Sequence, residues 1–243
     1  MTLSRVRAGL RGGHGRHVRA FVAALALAGP VMLTGCSGTA EEKQSPPEAL
    51  AAARATLDET SGVRITLEVG NLPEGVDGLL NAEGVATHDP AFDGSIKVAT
   101  GGVTADAAVI AADGNVFAIL PFTTQYAEID PADYAAPDPA DLMSTEDGLS
   151  SLLTSAEQVR AGEEVREGED VLSTYTGVLP GDAVAAIIPS ARRTGEFDAR
   201  FTLRPGNQLD EVLLTGPFYP GAGDVSYTIG LTDYGLQKDI TAP

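Results

Sequence analysis

Few side chains in this 243-residue chain could do chemistry: it has one cysteine, three histidines and no tryptophan. A lone thiol can bind metal, attack a carbonyl or be alkylated and acylated. Cys36 has no second cysteine for a disulfide and no companion ligands around it. His14 and His17 fall in the arginine-rich N-terminal stretch, which leaves His88, beside Asp89-Pro90 in a loop, as the one histidine beyond it. A Ser-His-Asp hydrolase would need an activated serine near His88, and no Gly-x-Ser-x-Gly elbow occurs. Zinc needs several His or Cys ligands, and no Gly-x-x-x-x-Gly-Lys loop cradles phosphate. With 34 Asp+Glu, carboxylate pairs arise by chance and argue little for glycoside cleavage. The acidic run 163–170 lacks the ligand spacing of a calcium loop and reads as a solvated hairpin around Gly168. No catalytic residue, no metal site and no cofactor is expected.

The neighbours of Cys36 narrow its chemistry. Arg5, Arg7, Arg11, Arg16 and Arg19 precede the apolar run 21–33, and no acidic residue occurs from Met1 to Gly35. A basic segment, a short apolar segment and small residues together make a secretory signal. Leu33-Thr34-Gly35-Cys36 resembles the bacterial lipobox, a signal in which the thiol receives a diacylglyceryl group and the chain is cut just before it. A transmembrane anchor would need about twenty apolar residues, whereas this run is shorter and broken by Gly29-Pro30. The expectation is a lipoprotein signal peptide over 1–35, Cys36 as the lipidation site, and a domain held on the extracytoplasmic face of the cell membrane by its acyl chains.

Charge excludes further classes. Of 16 Lys+Arg, five lie before Cys36, so eleven remain against 34 Asp+Glu, a formal net of −23 for the segment after the signal. Nucleic acid is excluded as a partner, because phosphate binding needs clustered Lys and Arg. A polybasic grip on anionic lipid is excluded for the same reason. The excess of Arg over Lys and the abundant Ala point to a high-GC bacterial genome.

About 208 residues remain from Cys36 onward, enough for a single core. Residues 36–44 are small and polar, a flexible tether, and 45–243 form the domain. Ser45-Pro46-Pro47-Glu48 starts a helix over roughly 47–60, with Ser45 as N-cap and prolines in the first turn; Ser61-Gly62 ends it. The period then switches to two. Val63, Ile65, Leu67 and Val69 share one face, as do Ile96 and Val98, and Ala105, Ala107 and Val109. Asp113-Gly114 between apolar runs is a hairpin signal, with Val116–Leu120 as its return strand. Proline-broken stretches at 129–143 suit short helical turns, and Leu149, Leu152 and Leu153 fit one helical face. Val171–Val178 is a strand, Asp182 caps a short helix, and 197–203 and 225–231 alternate cleanly. A last strand is expected near Lys238–Thr241. The pattern predicts an α+β fold with eight to eleven antiparallel strands in one meandering sheet.

Many of the inward positions carry small side chains, and aromatic residues make up only 5% of the chain. A large sheet faced by few helices, with small residues at facing positions, leaves volume that an apolar ligand can take. Ile65, Leu67, Val69, Ile96, Val98, Ala107, Val109 and Phe117 are the expected lining, Ile96 first among them. The competing reading is a packed Ala/Val core in an interaction lipoprotein that docks an envelope partner through its acidic surface.

Several segments in succession resemble the LppX/LprA/LprF/LprG lipoprotein family of mycobacteria and their relatives. They are the lipobox at Cys36, Gly94-Ser-Ile-Lys-Val-Ala-Thr-Gly-Gly, Asp113-Gly-Asn-Val-Phe-Ala-Ile-Leu, Asp138-Pro-Ala-Asp-Leu-Met with Gly148-Leu-Ser-Ser-Leu-Leu, and the closing Leu231-Thr-Asp-Tyr-Gly-Leu-Gln-Lys-Asp-Ile-Thr-Ala-Pro. The resemblance implies a strongly bent antiparallel half-barrel with helices on its concave side, similar to the LolA/LolB localisation factors, and an apolar cavity between sheet and helices. It implies acyl chains of triacylated glycolipids or triacylglycerol as cargo, and a major-facilitator membrane transporter as a partner in moving them across the cell envelope. The chain departs from the pattern at Phe122-Thr-Thr-Gln-Tyr, where a Trp-containing turn is expected.

Overall fold

The computed structural model describes residues 44–134 and 136–243; the signal segment, Cys36 and most of the expected tether lie outside the described residues. Helix α1 (Pro46–Glu59) begins where the sequence places it. The Glu48 carboxylate accepts hydrogen bonds from the Ser45 N–H at 2.9 Å and hydroxyl at 2.6 Å, while Pro46 and Pro47 occupy positions whose N–H groups would lack partners anyway. Ala49, Leu50, Ala53 and Leu57 make its buried stripe.

From α1 the chain enters strand β1 (Gly62–Gly70) and meanders through β2 (Gly78–Thr87), β3 (Ala91–Thr100), β4 (Val103–Ala112), β5 (Asn115–Ile119) and β6 (Ala127–Ile129). Two 3-10 turns, Pro131–Tyr134 and Pro139–Met143, and helix α2 (Leu149–Ser155) carry it back across the sheet. Strands β7 (Glu157–Ala161), β8 (Val165–Glu167) and β9 (Asp170–Pro180), helix α3 (Gly181–Ile187), and strands β10 (Glu196–Arg204), β11 (Gln208–Gly216) and β12 (Val225–Thr232) complete it. Every pairing is antiparallel, in the order β6-β5-β4-β3-β2-β1-β12-β11-β10-β9-β7, with β8 beside β9. The first strand pairs with the last: Leu67 lies opposite Ile229. Two meanders therefore meet at a β1–β12 seam in the middle of a bent half-barrel.

Helices α1, α2 and α3 and the second 3-10 turn contribute side chains to the same core as the concave face of the sheet. Helix α1 packs on α2 and β11, α3 on β9 and β10, and the Pro139–Met143 turn on β2, β3 and β4. The Phe92 ring on β3 needs glycine beside it. Gly84 and Gly94 pair directly across β2 and β3, and the Phe92 ring lies against both, so a Cβ at either position would overlap it.

Twelve strands form where eight to eleven are expected. Strands β6 and β7 have no alternation to mark them, and in β7 Gln158 takes φ +52° as the register shifts. Helix α3 starts one turn position early, after Pro180, with Asp182 inside its first turn. The last strand expected near Lys238–Thr241 is absent. After β12 the chain turns at Asp233 (φ +54°) and Gly235 (φ +82°), and the N–H groups of Gly235 and Leu236 donate to the Gly62 carbonyl at 3.1 and 3.2 Å. The tail then crosses the convex face, where Lys238 Nζ meets Asp93 Oδ2 at 2.6 Å. The Arg204 guanidinium ties the β8–β9 turn to β11 through Asp210 at 2.6 Å and Glu167 at 2.7 Å.

Candidate functional site

The sheet register aligns concave-face residues into rows that run across strands. One row passes through Ala107, Ile96, Ala82 and Leu67 to Ile229, Val212 and Phe201. On the β12 side of the seam its members are at most 1% exposed. On the β1 side Leu67, Ala82, Ile96 and Ala107 are only half-buried. The next row outward, Ala105, Val98 and Leu79 with Val69 on β1, is half-buried or nearly so throughout.

Toward the helices the same strands are closed. Ile65, Val109 and Ala118 form one covered row, and Val63, Ala86, Phe92, Ala111 and Val116 another, none more than 5% exposed. The coverage follows from where the helical segments lie, since side chains on all these rows alternate alike. What results is an apolar floor on β1–β4, continuous with the packed core at one end and bare at the other, toward the 71–77 loop and the Gly101-Gly102 turn. That loop is fixed to the turn by the Gly101 N–H, which donates to Asp77 at 2.9 Å. A recess of about 260 Å³ lies against that loop, lined among others by Leu72, Val76, Leu80, Ala99 and Thr104, and shares no residue with the floor. A larger recess of about 590 Å³ sits away from the floor at the β6 edge, rimmed by Glu128, Asp130 and Asp138, and its polar lining does not suit an apolar ligand.

Of the residues expected to line a cavity, Leu67, Val69, Ile96, Val98 and Ala107 stand on the floor, and Ile65 and Val109 lie in the covered row behind it. Phe117 does not join them. It pairs with Ile110, whereas Val109 pairs with Ala118, so Phe117 faces the convex side. In a two-residue hairpin the partners of β4 and β5 have numbers of opposite parity, which puts Val116 and Ala118 inward. The Asp113-Gly114 turn already carries that signal. Ala82 and Leu79 are floor residues that alternation misses, because the register shifts between Leu79 and Asn81.

Polar groups flank the floor. Tyr227, 2% exposed, projects from β12 opposite Val69, and its hydroxyl lies 2.8 Å from that of the half-buried Tyr219. Phe218 packs its ring on those of Phe197 and Tyr227, at centroid distances of 4.7 and 4.3 Å. Burial, and then the Tyr219 hydroxyl, push the Tyr227 phenol well above the usual tyrosine value, while a hydrogen bond from Ser190 opposes the shift. Tyr227 therefore stays neutral.

His88 is placed by structure rather than chemistry. Its Nε2 lies 3.0 Å from the Leu57 carbonyl. A carbonyl only accepts, so that nitrogen carries the proton, and the ring ties the end of α1 to the β2–β3 turn. Phe122 is fully exposed with φ +68°. Among the described residues no group of three or more His, Cys, Asp or Glu could hold a metal, and no helix is long and apolar enough to cross a membrane.

Comparison with known proteins agrees with this architecture. The crystal structure of LprF from Mycobacterium bovis superposes with a TM-score of 0.66 at 14% identity, covering 82% of this chain and 99% of that one. That of the lipoprotein LppX from Mycobacterium tuberculosis gives 0.56 at 16% identity, over 81% and 100%. At these identities the likeness is one of fold. In sequence, a lipoarabinomannan carrier protein LprG of Mycolicibacterium smegmatis is 29% identical over 241 residues, 93% of this chain and 96% of its own. The LprG of Mycobacterium tuberculosis is 25% identical over 235 residues, 94% and 97% of the two chains. The model of the LppX_LprAFG lipoprotein family matches residues 45–240, nearly the whole described domain, and the chain belongs to that family.

Proposed function

We propose that this protein is a non-enzymatic lipid carrier of the cell envelope, anchored through Cys36 to the extracytoplasmic face of the cell membrane. Its cargo lays acyl chains on the floor formed by Leu67, Val69, Ala82, Ile96, Val98 and Ala107. The observation that carries this reading is the floor itself, an apolar surface contiguous with the core yet left half-bare by the helices. Exposing such a surface is costly for a soluble domain unless something occupies it. Each CH₂ removed from water contributes about 0.8 kcal/mol, so long chains bind by area with no need of exact polar contacts. The relatives named as lipoarabinomannan carriers support a carrier role. Triacylated glycolipids and triacylglycerol are the cargo classes that supply enough chain, and a major-facilitator transporter is the proposed membrane partner. Release comes from hand-off or a change of shape, because a purely apolar fit has no chemical trigger.

Native mass spectrometry of the chain from Ser37 to Pro243, made in an actinobacterial host, tests this. Discrete adducts of lipid mass, lost on delipidation, are expected. Ile96→Trp places an indole in the middle of the floor row and is expected to cut co-purified lipid several-fold while the domain stays folded. A clean apo mass with no uptake of added triacylglycerol would favour the alternative, an interaction lipoprotein that docks an envelope partner through its acidic surface.

A further inference from the structure

The Tyr219–Tyr227 pair has an inner and an outer member. Tyr227 is the buried one and Tyr219 the half-buried one. Their hydroxyls lie 2.8 Å apart, and either can donate to the other. A hydroxyl has one proton to give. When Tyr227 gives its proton to Tyr219, the proton left for a ligand is that of Tyr219, the member nearest solvent.

The place is specific. Tyr227 stands opposite Val69 at the outer end of the floor. A Cβ on Gly78, the first residue of β2, would lie 2.6 Å from the Tyr219 hydroxyl oxygen. Strands β12 and β2 flank β1 on either side, so Tyr219 crosses the end of β1 where the floor begins. Phe218, fully buried between Phe197 and Tyr227, holds the loop that carries it.

We propose that Tyr219, held by Tyr227, is the polar subsite for the ester carbonyl at the head of an acyl chain lying on the floor. The reasoning rests on the carrier reading and adds a ligand group to it. A neutral donor suits a neutral acceptor, and a domain with a formal net of −23 after the signal disfavours an anionic one. A carbonyl oxygen accepts well from a phenol, whereas an ether oxygen in the same position accepts poorly. The subsite therefore separates acylated from alkylated glycerolipids of equal chain length.

The test uses the full chain, delipidated and offered equal amounts of tripalmitoylglycerol and the matched trihexadecyl glycerol ether, with bound masses read by native mass spectrometry. The wild type is expected to favour the ester by about 2- to 10-fold, the range of one net hydrogen bond. Tyr219→Phe is expected to bring the ratio near one while total uptake is kept. A variant that keeps the wild-type ratio, or a wild type with no preference, overturns the subsite and leaves the carrier reading standing. Uptake of neither lipid by the wild type overturns the carrier reading, and the subsite with it. Should Tyr219→Phe not fold, Tyr227→Phe takes its place: it removes the hydroxyl that partners Tyr219 and is expected to lose part of the preference, and retention of all of it overturns the proposal.

Discussion

On one side of the β1–β12 seam, Ile229, Val212 and Phe201 are sealed; on the other, in the same row, Leu67, Ala82, Ile96 and Ala107 are half open. Strand geometry, hydrogen bonding and alternation are the same on both flanks, so none of these causes the difference. Side-chain size and helix coverage do. The β10–β12 flank carries Phe197, Phe201, Leu214 and Ile229 beneath α1 and α3, whereas the β1–β4 flank carries Ala82, Ala105 and Ala107 under a single short 3-10 turn. One half of the sheet is built to hold the fold together, and the other is left able to take something else.

Matched truncations on the two flanks give the largest expected contrast. Phe201→Ala should cost about 3–5 kcal/mol in urea unfolding, as a large side chain lost from a closed core does. Leu67→Ala, three strands away, should cost about 1 kcal/mol, because part of its surface is already in water. Equal costs would dissolve the distinction between the flanks.

Gly84→Ala sharpens the comparison from inside the lighter flank. The added methyl meets the Phe92 ring, and an overpacked site costs about 1–3 kcal/mol. A second change, Phe92→Leu, should recover part of that cost, and a double-mutant cycle measures the coupling.

The smallest effect sits on the outer face of the seam, where Glu68 and Glu211 flank β12. Burial, then Asp210 and Glu68, hold the Glu211 carboxyl above its ordinary value, against the pull of Arg200. A carboxyl raised in the fold binds its proton more tightly folded than unfolded, so its contribution to stability falls as pH rises through that window. Glu211→Gln should stabilise the domain by at most about 0.5 kcal/mol near pH 7. The gain should vanish on acidification below the ordinary glutamate value, where the wild-type carboxyl is protonated as well. Thermal melts at the two pH values decide it.

The elements of the fold were legible wherever pattern and local chemistry agree. Ser45 with Glu48 marks the start of α1, alternation marks β1, β10 and β12, and Asp113-Gly114 marks the β4–β5 hairpin. Strands β6 and β7 were not legible, because short edge strands bury too little to need a pattern. The tail does not form the strand expected near Lys238–Thr241, because Asp233 and Gly235 turn it out of the ladder before it could pair. Five of the eight expected lining residues share the floor, since period two fixes the face of a strand. The parity of the Asp113-Gly114 hairpin turns Phe117 to the other face. The extent of the floor was hidden because exposure depends on which helix lies over which row, and the tyrosine pair because it joins a loop to a strand through packing that no linear spacing encodes.

The pairing of the first strand with the last also governs the order in which the molecule can be made. Leu67 must wait for Ile229, so a chain emerging from its N-terminus can complete the β1–β6 meander long before β12 exists. Contacts of such long sequence separation form late. Until they do, β1 is an unpaired edge beside a bare apolar surface, the kind of intermediate that associates with other chains. Synthesis therefore leaves the half-open flank waiting on β12, and a truncation within Val225–Thr232 would unmake the whole sheet rather than trim its end.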